Sequence, residues 1–159
     1  MNFTVREATL EDAQLIADLT RACWAKRVAL CSSGHRETAV CVRQHLQEGG
    51  GYILMHGEEA IGSVRWLPLE GQAQVWETLR IGVLPQYAGE GLSQHLVEAV
   101  IHRALAAGVT ELRLAVRSDQ ERLLGLYATY GFEFAPELEY AHTNPVEPAP
   151  HVMRKLLLH

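Results

Sequence analysis

The segment from Glu77 to Ser93 constrains this chain more than any other. It reads Glu-Thr-Leu-Arg-Ile-Gly-Val-Leu-Pro-Gln-Tyr-Ala-Gly-Glu-Gly-Leu-Ser. A strand-like run stops at Pro85, which has no N–H to continue a ladder. A turn of small residues follows. Beyond it Leu92, Leu96, Val97, Val100, Ile101, Ala104 and Leu105 fall on one helical stripe. The spacing predicts a strand over 74–84 and a long helix over 89–107, closed by Gly108. The first N–H groups of such a helix have no intrahelical acceptor and lie at the positive end of its dipole, so they attract an anion. Gly89 and Gly91 let the backbone approach that anion with no Cβ in the way.

Other glycine turns have different requirements. A P-loop needs Gly-Lys-Ser/Thr, and no lysine stands near this turn. A dinucleotide fingerprint needs a third glycine where Gln94 stands. Glycines that merely shape a loop are the plain alternative.

The remaining pattern suits one α/β domain over residues 1–159. Strands are expected over 3–8, 52–56, 60–67, 111–116, 132–140 and 152–158. Helices are expected after a Thr9 cap, over 36–47 with the glycine run 49–51 ending it, and over 120–130. The order is β-α-α-β-β-β-α-β-α-β-β, an α+β mixed sheet with helices on its faces. Hydrophobic residues make up 48%, enough for a sizeable core. Net charge is −5 with no basic cluster, which argues against a nucleic-acid partner. No apolar run reaches the roughly 18–20 residues of a spanning helix, and no signal-peptide core is visible, so a cytoplasmic location without a membrane partner is expected. Cys31/His35 and Cys41/His45 each have i, i+4 spacing that could serve a zinc ion. Without a Cys-x-x-Cys pair, no metal is expected. Three cysteines also make no disulfide framework.

Val83, Pro85, Gly89 and Gly91 match a longer pattern, Val-x-Pro-x-x-(Arg/Gln)-Gly-x-Gly-x-(Gly/Ala). The stretch resembles the coenzyme A signature of the GNAT superfamily of N-acyltransferases. Ala88 and Ser93 depart from it. Val5-Arg6-Glu7-Ala8-Thr9, Leu126–Glu133 and His151–Leu156 are similar to the family's opening, its Tyr-x-x-x-Gly-Phe-Glu segment and its closing strand. The resemblance therefore covers nearly the whole chain. It implies acetyl-CoA as co-substrate, with Ala88, Gly89, Glu90, Gly91, Leu92 and Ser93 around the diphosphate. Ile81, Gly82 and Val83 would pair with pantetheine as an added half-strand, and Gln120 would reach its amide. The N–H of Val83 or Leu84 would serve as oxyanion donor.

The implied reaction moves an acetyl group to a primary amine by direct attack; no cysteine lies in the coenzyme segment. Tyr127 is the candidate acid for the departing thiolate, with Tyr130 as its possible confusion. Glu77, on the strand face with Leu79, Ile81 and Val83 that should run along the pantetheine, is the candidate base or relay. Its other reading is an ion pair with Arg80 or another cation. Trp24, Arg27, His35, Trp66, Trp76 and residues 137–150 fall where the resemblance puts the acceptor. A small-molecule or peptide amine and a second copy of the chain are the partners implied. The rival function is a non-catalytic acyl-CoA-binding sensor or interaction module, which would need neither Glu77 nor Tyr127.

Overall fold

The structure, a computed structural model, describes residues 2–24, 37–117, 120–140 and 149–157. The chain forms β1 (Phe3–Glu7), α1 (Ala13–Trp24), α2 (Ala39–Glu48), β2 (Gly50–His56), β3 (Glu59–Leu69), β4 (Gln72–Val83), α3 (Ser93–Ala106), β5 (Glu111–Val116), α4 (Arg122–Ala128), β6 (Glu133–Phe134) and β7 (His151–Leu156). The strands make one seven-stranded sheet in the order β1-β2-β3-β4-β5-β7-β6. Every pairing is antiparallel except β4 with β5. This is the mixed α/β sheet the sequence pattern implies.

Alternation along the strands sorts the core into two layers. Ile53 packs with Ile16, Ala17, Val42 and Leu46 under α1 and α2. Its neighbour Leu54 packs with Val64, Leu96, Val97 and Val100 under α3. Entry into α1 is fixed by a Thr9 N–H bond to Asp12 Oδ2 at 2.8 Å and a two-point Arg6–Asp12 pair at 2.9 Å. The Arg6 guanidinium holds the Asp12 carboxyl down to about 2. Among the described residues no helix is long and apolar enough to cross a membrane.

Three boundaries differ from the sequence pattern for physical reasons. The glycine run does not simply end a helix: Gly49 caps α2, while Gly50 and Gly51 belong to β2. A Cβ on Gly50 would stand 2.3 Å from the Trp66 indole, and one on Gly51 would stand 2.9 Å from the Val64 carbonyl. These glycines are therefore needed for close strand packing. Helix α3 begins at Ser93 rather than near 89, because Gly89 and Gly91 adopt positive φ of 83° and 69°. The strand expected over 132–140 shrinks to β6, since the chain turns at Pro136 with the Leu138 N–H on the Ala135 carbonyl.

Candidate active site

The site begins where β4 and β5 part. Their parallel ladder holds only Val75–Glu111, Trp76–Leu112 and Glu77–Arg113. Beyond Glu77, β4 continues to Val83 paired, among the described residues, with β3 alone. A lone strand side offers N–H and C=O groups to whatever lies beside it. Its register against β3 slips by one residue between Arg65–Leu79 and Ser63–Gly82. Arg80 sits in this bulge with a left-handed φ of 55°, the one non-glycine residue at positive φ among the described residues. An inserted residue resets side-chain alternation. Leu79 accordingly packs with Leu67, Tyr140 and Val152, whereas Val83 and Ile81 pack in the α3 layer. The single face expected for Leu79, Ile81 and Val83 is thus divided by the bulge.

At the open end of β4, a 3-10 turn over Pro85–Tyr87 leads into the glycine segment. The Leu84 N–H is committed to the Ile61 carbonyl at 2.8 Å, which removes it as an oxyanion donor. Ala88 N–H bonds to Pro85 O, and Gln94 and His95 N–H bond to Gly91 O and Leu92 O. Among the described residues nothing accepts from the backbone N–H of Gly89, Gly91, Leu92 or Ser93. A Cβ at Gly89 would meet nothing within 4 Å, and one at Gly91 only Gln94 Oε1 at 3.9 Å. Unused donors at a helix N-terminus, beside the exposed Gly89 and Gly91, fit a phosphate group. The turn is braced from below: Tyr87 OH donates to Glu59 at 2.9 Å and lies 3.1 Å from His56 Nδ1.

Tyr127 stands on α4 with its ring in the α3 layer, edge-on to Phe132, and is 8% exposed. Its hydroxyl has no partner among the described residues. The one fully enclosed, unpartnered side-chain nitrogen or oxygen there is Arg65 Nε, so the Tyr127 hydroxyl keeps contact with open space. Burial, then the neighbouring Tyr130, pushes the phenol up to about 12. Tyr130 OH instead donates to Gln94 Oε1 at 3.3 Å, tying α4 to the start of α3. Gln120 starts the turn into α4, with its N–H on Arg117 O.

Glu77 is fully buried at the fork of the sheet, on the opposite face from Trp76. Its charge is felt by Tyr140, whose phenol is pushed up first by burial and then by Glu77. Tyr140 OH donates to Thr78 O at 2.7 Å. Among the described residues Arg80 pairs with Glu37 and not with Glu77, its alternative partner in the sequence reading. Arg80 Nε donates to Glu37 Oε1 at 2.9 Å, and Arg65 Nη2 donates to the same oxygen at 2.5 Å. Sequence reasoning missed Glu37 and Arg65. A charged Arg65 inside the apolar run 61–67 was the available signal.

Trp66 and Trp76 stack on each other at 5.3 Å in the α3 layer, as core aromatics. Trp24's side chain, Arg27, His35, Cys31 and residues 141–148 lie outside the described residues. Cys41 Sγ and His45 Nε2 do meet, at 3.8 Å, but His45 Nδ1 faces Arg65 Nη1 at 3.0 Å and burial keeps the thiol protonated. Among the described residues no three His, Cys, Asp or Glu side chains gather as a metal site.

The mixed sheet is forked beside a glycine turn whose amides are unused among the described residues. The Acetyltransferase (GNAT) family matches over residues 14–132, and the chain belongs to that family. N-acetyltransferase 8B of Rattus norvegicus is 27% identical over 116 residues, covering 69% of this chain and 51% of that protein. N-acetyltransferase 8F1 of the same species is similar at 27% over 115 residues, with 69% and 51% covered. The chain thus spans about half the length of these curated relatives. Among solved structures, PaiA N-acetyltransferase from Thermoplasma acidophilum, in complex with coenzyme A, is similar with a TM-score of 0.75 at 17% identity, covering 99% of this chain and 100% of that one. N-acetylglutamate synthase from Neisseria gonorrhoeae, complexed with coenzyme A and N-acetyl-glutamate, is similar with a TM-score of 0.75 at 21% identity, covering 100% of this chain and 36% of that one.

Proposed function

We propose that this chain transfers an acetyl group from acetyl-CoA to a primary amine by direct attack. The observation that carries this reading is the parting of β4 from β5 after Glu77, next to the unused amides at Gly89, Gly91, Leu92 and Ser93. The diphosphate lies on those amides, flanked by Ala88 and Glu90, and pantetheine runs beside Ile81, Gly82 and Val83 with Gln120 across from it. Acetyl-CoA supplies the acetyl group as a thioester. The acceptor amine loses a proton toward Glu77, which is fully enclosed and so works through an intervening water or hydroxyl. The amine nitrogen bonds to the carbonyl carbon as the carbon–sulfur bond breaks. Tyr127, held protonated by burial, gives its phenolic proton to the departing sulfur.

The test is free-thiol release from acetyl-CoA with a panel of amines, scored against acetyl-CoA alone. Amine-dependent release with an N-acetylated product is the expected result. Tight acetyl-CoA binding without transfer to any amine would leave a binding module instead.

A further inference from the structure

We infer that the acceptor amine carries a carboxylate and that Arg80 selects it, an inference that rests on the acetyltransferase reading above. Glu37 Oε1 is shared by two guanidinium groups, Arg65 and Arg80. Arg65 and Glu37 are sealed in, with side chains 0% and 2% exposed. One carboxylate oxygen of Glu37 thus faces two cations, Arg65 and Arg80. The Arg80 side chain is 19% exposed and uses only its Nε on Glu37. Its two terminal nitrogens, the fork that matches a carboxylate, have no partner among the described residues.

The backbone adds an independent observation. A non-glycine residue at a left-handed φ is strained, and such strain persists where the surroundings over-determine it. Glycine would fill the bulge without that cost, yet this chain places a guanidinium there. The bulge lies at the fork of the sheet, beside Glu77 and Tyr140, where Arg80 and Arg65 both act on the Tyr140 phenol. A coenzyme phosphate is the other anion to consider. The anion-binding turn, however, leads into α3, whose layer holds Ile81 and Val83, while Arg80 turns toward Glu37 beside α2. A zwitterion with its ammonium toward Glu77 and its carboxylate on Arg80 fits this charge arrangement.

The experiment compares kcat/KM for phenylalanine, glutamate and lysine with that for their three α-carboxamides. It uses the full chain and Arg80→Gly, a variant that suits the left-handed φ and whose folding is checked by thermal melting. The unaltered chain should prefer the acids by at least roughly tenfold, the worth of one charge-assisted pair. In Arg80→Gly that ratio should fall toward one, with the loss in KM for the amine. The ratio is decisive because a general folding defect lowers both substrates alike. Equal use of acid and amide by the unaltered chain, a ratio retained in Arg80→Gly, or a loss confined to KM for acetyl-CoA would each overturn the inference. Failure to acetylate any amine would instead remove the acetyltransferase reading beneath it.

Discussion

Tyr127 shows how burial can prepare a residue for one chemical role. Its ring is enclosed by the α3 layer while its hydroxyl reaches open space. Burial raises the phenol to about 12, so it remains a proton donor across the neutral range. The folded state therefore holds that proton above pH 10, where an unfolded tyrosine gives it up. Tyr127→Phe removes the hydroxyl and leaves the ring packing. Turnover should fall by roughly 10²–10⁴-fold, with acetyl-CoA still bound by calorimetry. Tyr130→Phe, one helical turn away, loses only the bond to Gln94 and should cost far less. The reverse order of effects in steady-state kinetics would place the acid three residues further along. An alkaline fall in rate below pH 10 should belong to another group and should survive in Tyr127→Phe.

At the scale of an element, the turn between β4 and α3 combines two demands. Gly89 and Gly91 hold positive φ, which a β-branched residue adopts only with strain of order 1–3 kcal/mol. The backbone N–H groups of this turn go unused among the described residues. Gly89→Val or Gly91→Val should therefore weaken acetyl-CoA binding by more than tenfold, a loss of about 1.4 kcal/mol. Calorimetry on each folded variant measures this directly, and full affinity in both would remove the turn as the diphosphate site. Tyr87, braced by Glu59 and His56, makes the turn part of the β2–β3 end of the sheet.

The whole molecule is a sheet that pairs fully at one end of β4 and opens at the other. Among the described residues, 78–83 have a strand, β3, on one side and none paired on the other. Backbone groups without a second strand exchange hydrogen through smaller openings. Coenzyme A added at about 100 times its Kd contributes about 2.7 kcal/mol, so exchange at these amides should slow by as much as roughly 100-fold. Hydrogen-exchange mass spectrometry follows peptides of β4 and of residues 85–94 together. Protection at the turn with none in β4 would rule out a coenzyme lying along that strand.

Much of this was legible locally. The helical stripe from Leu92, the strand over Glu111–Val116 and the glycine turn between β4 and α3 follow from short-range periodicity and from residues without a Cβ or an N–H. Gly89, Gly91, Glu77 and Tyr127 could be singled out before any coordinates. The bulge at Arg80 could not, because a strand's register depends on its partner and Arg80 carries no local turn signal. Nor could the Glu37 cluster, whose bonds join residues 28 and 43 positions apart. The resemblance places the two tryptophans near the acceptor, burial statistics favour core or rim, and sheet pairing sets them under α3. Sequence thus determined which chemical groups stand on which elements. Tertiary structure alone decided which charges share a buried oxygen, because burial and pairing are properties of the assembled sheet.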